Sequence, residues 1–410
     1  MPAPCLYLAG VSTEDELILQ LCRTGNADVP EAGSVDWDAL IETALQQRVA
    51  PIVFAGLGAS VLEDDVAERV QGEERTEFLA TALRKGAIRA CLAELCERLH
   101  GAGIDFILLK GFTLDFDGRR PFQDLDLLIR ERDLARTMAL LAGDGYREVG
   151  DQLNRHVRES EKGNYPRQLA WNNQFLLRDE ERGVLVELHT NLFERRRVHY
   201  LDLDQLLARV DVLFEARVHD EELRCDTLPA ELQLVTTALY ASIKRSPTTG
   251  HFRLRAYVDI ERLIERGVRW DLVLEHTRAF GVAPHLSYAF EMARRLLKTS
   301  VPSDVLRTLD GELGARERIA VRWHLRSFCS LRESSLIWSK LYLLATPFLL
   351  GSRWSDRLRC TLLLPVLFPP RWKMAAHYGL AEKSPMVYLT YLVNPFRQAA
   401  LAVVRLRARG

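Results

Sequence analysis

The stretch that decides the fold is IDFILLKGFTLDFDGRRPFQDLDLLI, Ile104 to Ile129. Two apolar strand-like runs, Phe106 to Leu109 and Leu125 to Ile129, flank a turn and short helix opened by Lys110-Gly111. The second run carries Asp124 and Asp126. Side chains two apart on a strand emerge on one face, so both carboxylates project together and Leu125 and Leu127 project the other way. Two like charges side by side are unfavourable without a cation between them, and a divalent metal is the usual answer.

Upstream of this stretch the chain reads as helical. Thr13 and Glu16 have capping-box spacing ahead of LILQLC. Trp37, Leu40, Ile41, Ala44 and Leu45 recur at helical spacing up to Pro51. A longer helix is expected over 74–100, with Ile88, Leu92, Leu95, Cys96 and Leu99 on one face and Gly101 and Gly103 ending it. Downstream, 131–142 reads as a helix, Tyr146 to Val149 as a short strand, and 150–175 as a polar loop or lid. In VLVELH, residues 184–189, Glu187 interrupts an apolar strand and His189 shares its face.

Residues 212–228 read as a hairpin, LFEARV and LRCDTL about a His219-Asp220 turn. Helices follow over 229–244, 257–264, 272–280 and 286–297. From Gly351 onward ten Lys or Arg face two acids, and prolines break the segment. The expected organisation is an N-terminal helical segment (1–73), an α/β catalytic core (74–228), a C-terminal helical domain (229–330) and a basic tail (331–410).

Composition narrows the class of function. With 410 residues, two or three domains are the natural division. A net charge of −1 gives no global attraction to a long polyanion, although the basic tail keeps an RNA end open as a partner. The tail and the apolar run Leu341 to Leu350 offer a membrane surface or an anionic partner a weak contact, against the simpler reading as a solvated helical cap. Seven scattered cysteines without a CxxC fit reduced thiols, and no signal peptide or membrane span is read; a cytoplasmic location is expected.

A second D-x-D, Asp202 and Asp204, shows that the pair alone defines nothing; there Asp204 most simply caps the next helix. The first pair differs in context, because the Lys110-Gly111 turn precedes it and a further strand brings Glu187. Three carboxylates from two strands can hold two Mg²⁺ or Mn²⁺ ions roughly 3.5–4 Å apart and clamp an in-line displacement.

The order LLKG, RPFQDLDLLI, GDGYREV and VELHTNL resembles an uncharacterised bacterial nucleotidyltransferase family of the DNA polymerase β-like nucleotidyltransferase superfamily. The likeness is strongest over 104–192. It implies an α+β fold with a small mixed-sheet, polymerase β-like core between helical segments. It also implies an enzyme that binds ATP or another NTP and moves its NMP group to a hydroxyl on a small molecule, sugar or protein. Under it, Asp124, Asp126 and Glu187 are catalytic metal-binding acids, with Glu187 either a metal ligand or the base.

Gly111 lets the backbone approach the triphosphate, Lys110, Arg119 and Arg120 would offset phosphate charge, and His189 is a substrate contact or a packing residue. Phe112 stands where the superfamily usually has Ser, which leaves Thr113 to supply the hydroxyl, and Thr190 replaces the family's Trp. The competing readings are an inactive nucleotide-binding regulator of the same fold and an interaction scaffold whose acids are surface residues.

Overall fold

The computed structural model describes residues 12–27, 34–58, 64–116, 118–149, 174–192, 203–243 and 253–326, with Phe328, Leu331 and parts of 371–397. The helices are α1 (Thr13–Thr24), α2 (Trp37–Gln46), α3 (Ala50–Gly58), α4 (Asp64–Gly101), α5 (Leu134–Gly143) and α6 (Leu203–Ala216). They continue with α7 (Ala230–Ile243), α8 (Leu254–Glu265), α9 (Trp270–Phe280), α10 (Ala283–Leu297), α11 (Ser303–Glu312) and α12 (Ala315–Arg326). The strands are β1 (Phe106–Leu108), β2 (Asp124–Ile129), β3 (Tyr146–Glu148), β4 (Gln174–Asp179), β5 (Leu185–His189), β6 (Val218–Asp220) and β7 (Cys225–Thr227).

The described strands form one mixed sheet in the order β3-β4-β5-β2-β1-β7-β6, so the fold is mixed α/β. β2 lies at its centre, antiparallel to β1 and parallel to β5. A central strand covered on both faces should be apolar on both, and β2 is, apart from its two aspartates. Leu125, Leu127, Leu128 and Ile129 are each at most 1% exposed. Burial of that completeness is worth roughly 1.5–3 kcal/mol per side chain.

The two faces of β2 belong to different cores. Leu125, Leu127 and Ile129 pack with Leu92, Leu95 and Leu99 of α4 and with Leu134, Met138 and Leu141 of α5. Leu128 and Ile107 face the other way, into a larger core that joins α1–α3 to α6–α12. The even-numbered positions of β2 alternate onto this second face. Asp124 and Asp126 therefore look toward the larger helical layer, and the site lies between that layer and the sheet.

Several elements differ from expectation. α4 begins at Asp64 rather than near 74, since nothing in 64–101 is a proline and its interior glycines cost only about 1 kcal/mol each. β4 starts at Gln174, inside the segment expected to be loop; Phe175 and Leu177 point into one core, while half-buried Gln174 and Leu176 share the face of His189 and Glu187 and Arg178 is exposed. The remainder of the expected lid, 150–173, lies outside the described residues.

The first arm of the expected hairpin is helical up to Ala216. Val210, Leu213 and Phe214 are buried at i, i+3 and i+4, a helical spacing that outweighs the local β preference. His219 and Asp220 consequently sit on β6 rather than in the turn. Asp204 falls inside the first turn of α6, not before it, and Asp202 and most of the basic tail lie outside the described residues. No helix among the described residues is long and apolar enough to cross a membrane.

Candidate metal centre

The centre is set by strand register. Asp126 of β2 is directly paired with Glu187 of β5, and Leu128 with His189. Asp126, Glu187 and His189 thus share a face, and each offers one ligand atom such that all three lie within 4.8 Å of one another. His189 reaches diagonally back: its Nε2 is 2.9 Å from Asp126 Oδ1 and 3.5 Å from Glu187 Oε2. Asp124 stands one step earlier on the same face and is not a member of this three-residue group.

Lys110, at the end of β1, donates from Nζ to Asp126 Oδ1 at 2.6 Å and lies 5.4 Å from the centre of the Tyr240 ring. Asp126 Oδ2 and His189 Nδ1 are buried without a hydrogen-bond partner. Buried polar atoms without partners are costly, and the Asp126 oxygen lies within the three-residue group.

The electrostatics follow from this crowding. Burial alone would raise the Asp126 carboxyl, but Lys110 and His189 hold it well below the usual carboxylate range. Burial and the neighbouring charge of Asp126 push Asp124 upward, only partly offset by Lys110. Burial disfavours charge on the His189 ring, yet its hydrogen bonds to Asp126 and Glu187 raise it above an ordinary histidine. Lys110, despite burial, is held above the ordinary lysine range by Asp126, Tyr240, Asp124 and Glu187. One carboxylate therefore faces an ammonium and an imidazole whose protonation it favours.

The glycine turn beside the centre is anchored from two sides. Lys85 of α4 donates to Asp115 Oδ2 at 2.5 Å and to the Gly118 carbonyl at 2.6 Å. Arg120, expected as a phosphate partner, is instead buried and committed: Nε to Asp259 Oδ1 at 2.8 Å, Nη2 to Oδ2 at 3.0 Å, and Nη1 to the Gly111 carbonyl at 3.4 Å. It braces the turn against α8. Arg119 is exposed, and the Thr113 hydroxyl is buried without a partner. Phe112 packs edge-to-face on Phe122 with ring centres 4.6 Å apart, so it holds the turn by its ring where a hydroxyl residue was expected.

Gly111 has φ 85° and ψ −107°, a conformation that only glycine adopts readily. A Cβ there would meet the Phe122 ring at 3.6 Å, an ordinary contact, so the penalty of a side chain is in the backbone. Gly111→Ala is expected to lower stability by about 1–3 kcal/mol in urea unfolding; a change below 0.5 kcal/mol would show that the turn relaxes freely.

Arg48, Tyr240, Arg253 and Arg255 also border this face, and the sequence reading did not single them out. Arg48 and Arg255 both interact with Tyr240 and with Asp124. They come from the α2–α3 connection, α7 and α8, so no local spacing could reveal them.

The described residues thus make a mixed α/β protein with a carboxylate–histidine group, able to hold a metal ion, beside a braced glycine turn. The chain is more narrowly a member of the family described as uncharacterised nucleotidyltransferase, whose family model matches residues 33–298. That match begins in the helical segment before the sheet and ends in α10, so the helical layers belong to the family unit as well as the sheet. No curated protein and no solved structure matches the chain.

Proposed function

We propose that this protein is a metal-dependent nucleotidyltransferase with a polymerase β-like core, moving an NMP group from an NTP to a hydroxyl acceptor and releasing pyrophosphate. One observation carries the reading: Asp126 and Glu187 are register partners on neighbouring parallel strands, and Asp126 retains a buried, unpartnered oxygen. The carboxylate oxygens suit Mg²⁺ or Mn²⁺, and the orphaned Asp126 Oδ2, with His189 Nε2 turned toward both carboxylates, fits such an ion. Asp126 and Glu187 would hold it, with His189 beside them and Asp124 supplying a further oxygen from the same strand face. Bound there, the ion supplies Lewis acidity to the phosphoryl oxygens and offsets charge that develops during transfer.

The remaining chemistry is positioning. The acceptor hydroxyl oxygen attacks the α-phosphorus, the bond from that phosphorus to the bridging oxygen breaks, and pyrophosphate leaves with the bonding electrons. The hydroxyl proton passes to a carboxylate or imidazole at the centre, and Lys110, released from Asp126, neutralises a phosphate oxygen. Glu187 serves as ligand or base, and one variant separates these. Glu187→Gln that binds Mn²⁺ normally without turnover identifies the base, whereas loss of Mn²⁺ identifies the ligand.

The test is pyrophosphate release by purified protein with each NTP and Mg²⁺ or Mn²⁺, with and without cell extract as the acceptor source. Release that needs metal and Asp126 supports the reading. Absence of both Mg·NTP binding and release in all combinations would refute it.

Metal binding should also depend on pH. The raised His189 proton affinity means that the ring is protonated below its folded-state value, which lies above the ordinary histidine value of about 6.5. A metal must displace that proton, so Mn²⁺ affinity should climb with rising pH and level off once His189 is neutral. Titrations across the neutral range check this; a flat profile would remove His189 from the coupled group.

A further inference from the structure

Beside the candidate metal centre lies a cluster of arginines that feel Asp124 and Asp259 but make no direct ion pair among the described residues. Gln47 Nε2 donates to the Leu331 carbonyl at 2.7 Å, and its Oε1 accepts from the Leu254 backbone N–H at 2.8 Å. This buried amide ties the α2–α3 connection to the first residue of α8. It thereby brings Arg48 next to Arg253 and Arg255. Arg255 Nη1 donates to the Pro121 carbonyl at 2.7 Å, immediately ahead of β2. Asp259, the carboxylate nearest on α8, is already held by both nitrogens of Arg120. Among the described residues, none of Arg48, Arg253 and Arg255 forms an ion pair.

We propose that Arg48, Arg253 and Arg255 form the subsite for the polyphosphate tail of the nucleotide, alongside the glycine turn. The identity of the anion as an NTP tail rests on the nucleotidyltransferase reading. Arginine forks match phosphate oxygens in pairs, and three of them match the several negative charges of a triphosphate. The tail would supply the direct ion-pair partners that these arginines lack among the described residues. Its β- and γ-phosphates would sit near Pro121 and the turn, leaving the α-phosphorus toward Asp124, Asp126 and Lys110.

Two further features agree. Arg48 has φ 57°, a left-handed conformation that disfavours any residue but glycine, so its side chain is present at a position where glycine would relieve strain. Burial, and the repulsion of Arg253, lower the proton affinity of Arg48; burial and Arg120 bring Arg255 down to about 10. In both, burial and neighbouring arginines outweigh the opposing pull of Asp124 on Arg48 and of Asp259 on Arg255.

The experiment is calorimetric titration of the full chain with Mg·ATP and with Mg·tripolyphosphate at fixed ionic strength. Arg48→Gly, Arg253→Ala and Arg255→Met are compared with wild type, and thermal unfolding confirms the fold. Each variant should weaken both ligands by about tenfold or more, and Arg48→Gly should unfold no earlier than wild type. Wild type failing to bind tripolyphosphate, or variants binding it within twofold of wild type, would overturn the subsite. If NTP-dependent pyrophosphate release persists with unchanged KM in all three variants, the subsite falls while the enzymatic reading stands. If the arginines hold tripolyphosphate but the protein neither binds nor turns over any NTP, the nucleotide assignment falls with that reading.

Discussion

Asp126→Asn is expected to lower nucleotidyl transfer by about a thousandfold while leaving the fold intact. Asp126 meets every other group of the centre: Lys110 at 2.6 Å, His189 at 2.9 Å, and Glu187 through strand register. Asparagine keeps the shape but removes the charge and presents an N–H₂ group to two donors. A metal held there would lose the carboxylate closest to the other groups, and a loss of about 4 kcal/mol of transition-state stabilisation corresponds to about three powers of ten in rate. The change also leaves Lys110 and His189 without their anion, so thermal stability should fall by about 1–3 kcal/mol while the protein remains folded. Steady-state pyrophosphate release together with circular dichroism checks this. Activity within threefold of wild type would exclude Asp126 from the reaction.

The largest effect on stability is expected elsewhere. Arg120 and Asp259 are each 4% exposed and make a two-pronged ion pair across 139 residues of chain. Removing one partner leaves the other charged and buried, a change that costs about 3–5 kcal/mol. Arg120→Ala should show this in urea unfolding, and Arg120→Met combined with Asp259→Leu should recover a large part of it, because an apolar pair of similar volume leaves no orphaned charge. A single-variant cost below 1 kcal/mol would mean that water reaches Asp259. Because Nη1 also holds the Gly111 carbonyl, Arg120→Ala should weaken NTP binding beyond its effect on stability.

The sequence was most informative where chemistry and period coincide locally. DLDLLI reads as a strand with two carboxylates on one face, and VLVELH as a strand with Glu187 and His189 on one face; both occupy adjacent, parallel positions in the sheet. Their pairing register was not legible, since it depends on the whole sheet. β4 escaped because Arg and Gln alternate with its buried Phe175 and Leu177, which lowers the apparent apolar character of QFLLRD.

Long-range contacts were the other gap. Arg120 looked like a phosphate ligand because its partner is on α8, far along the chain, and an arginine near a glycine turn has the same local appearance in either role. Phe112 looked like a missing hydroxyl until its ring was found against Phe122. Arg48 lies some two hundred residues before Arg253 and Arg255, and the Gln47 bridge to Leu254 makes them neighbours.

The central claim, that Asp126, Glu187 and His189 form a divalent-metal centre, is tested most directly by Mn²⁺ titration followed by electron paramagnetic resonance. Wild type should take up Mn²⁺ saturably without nucleotide, and Asp126→Asn should lose that uptake. Equal Mn²⁺ uptake by wild type and Asp126→Asn, or none by wild type with or without NTP, would contradict the account.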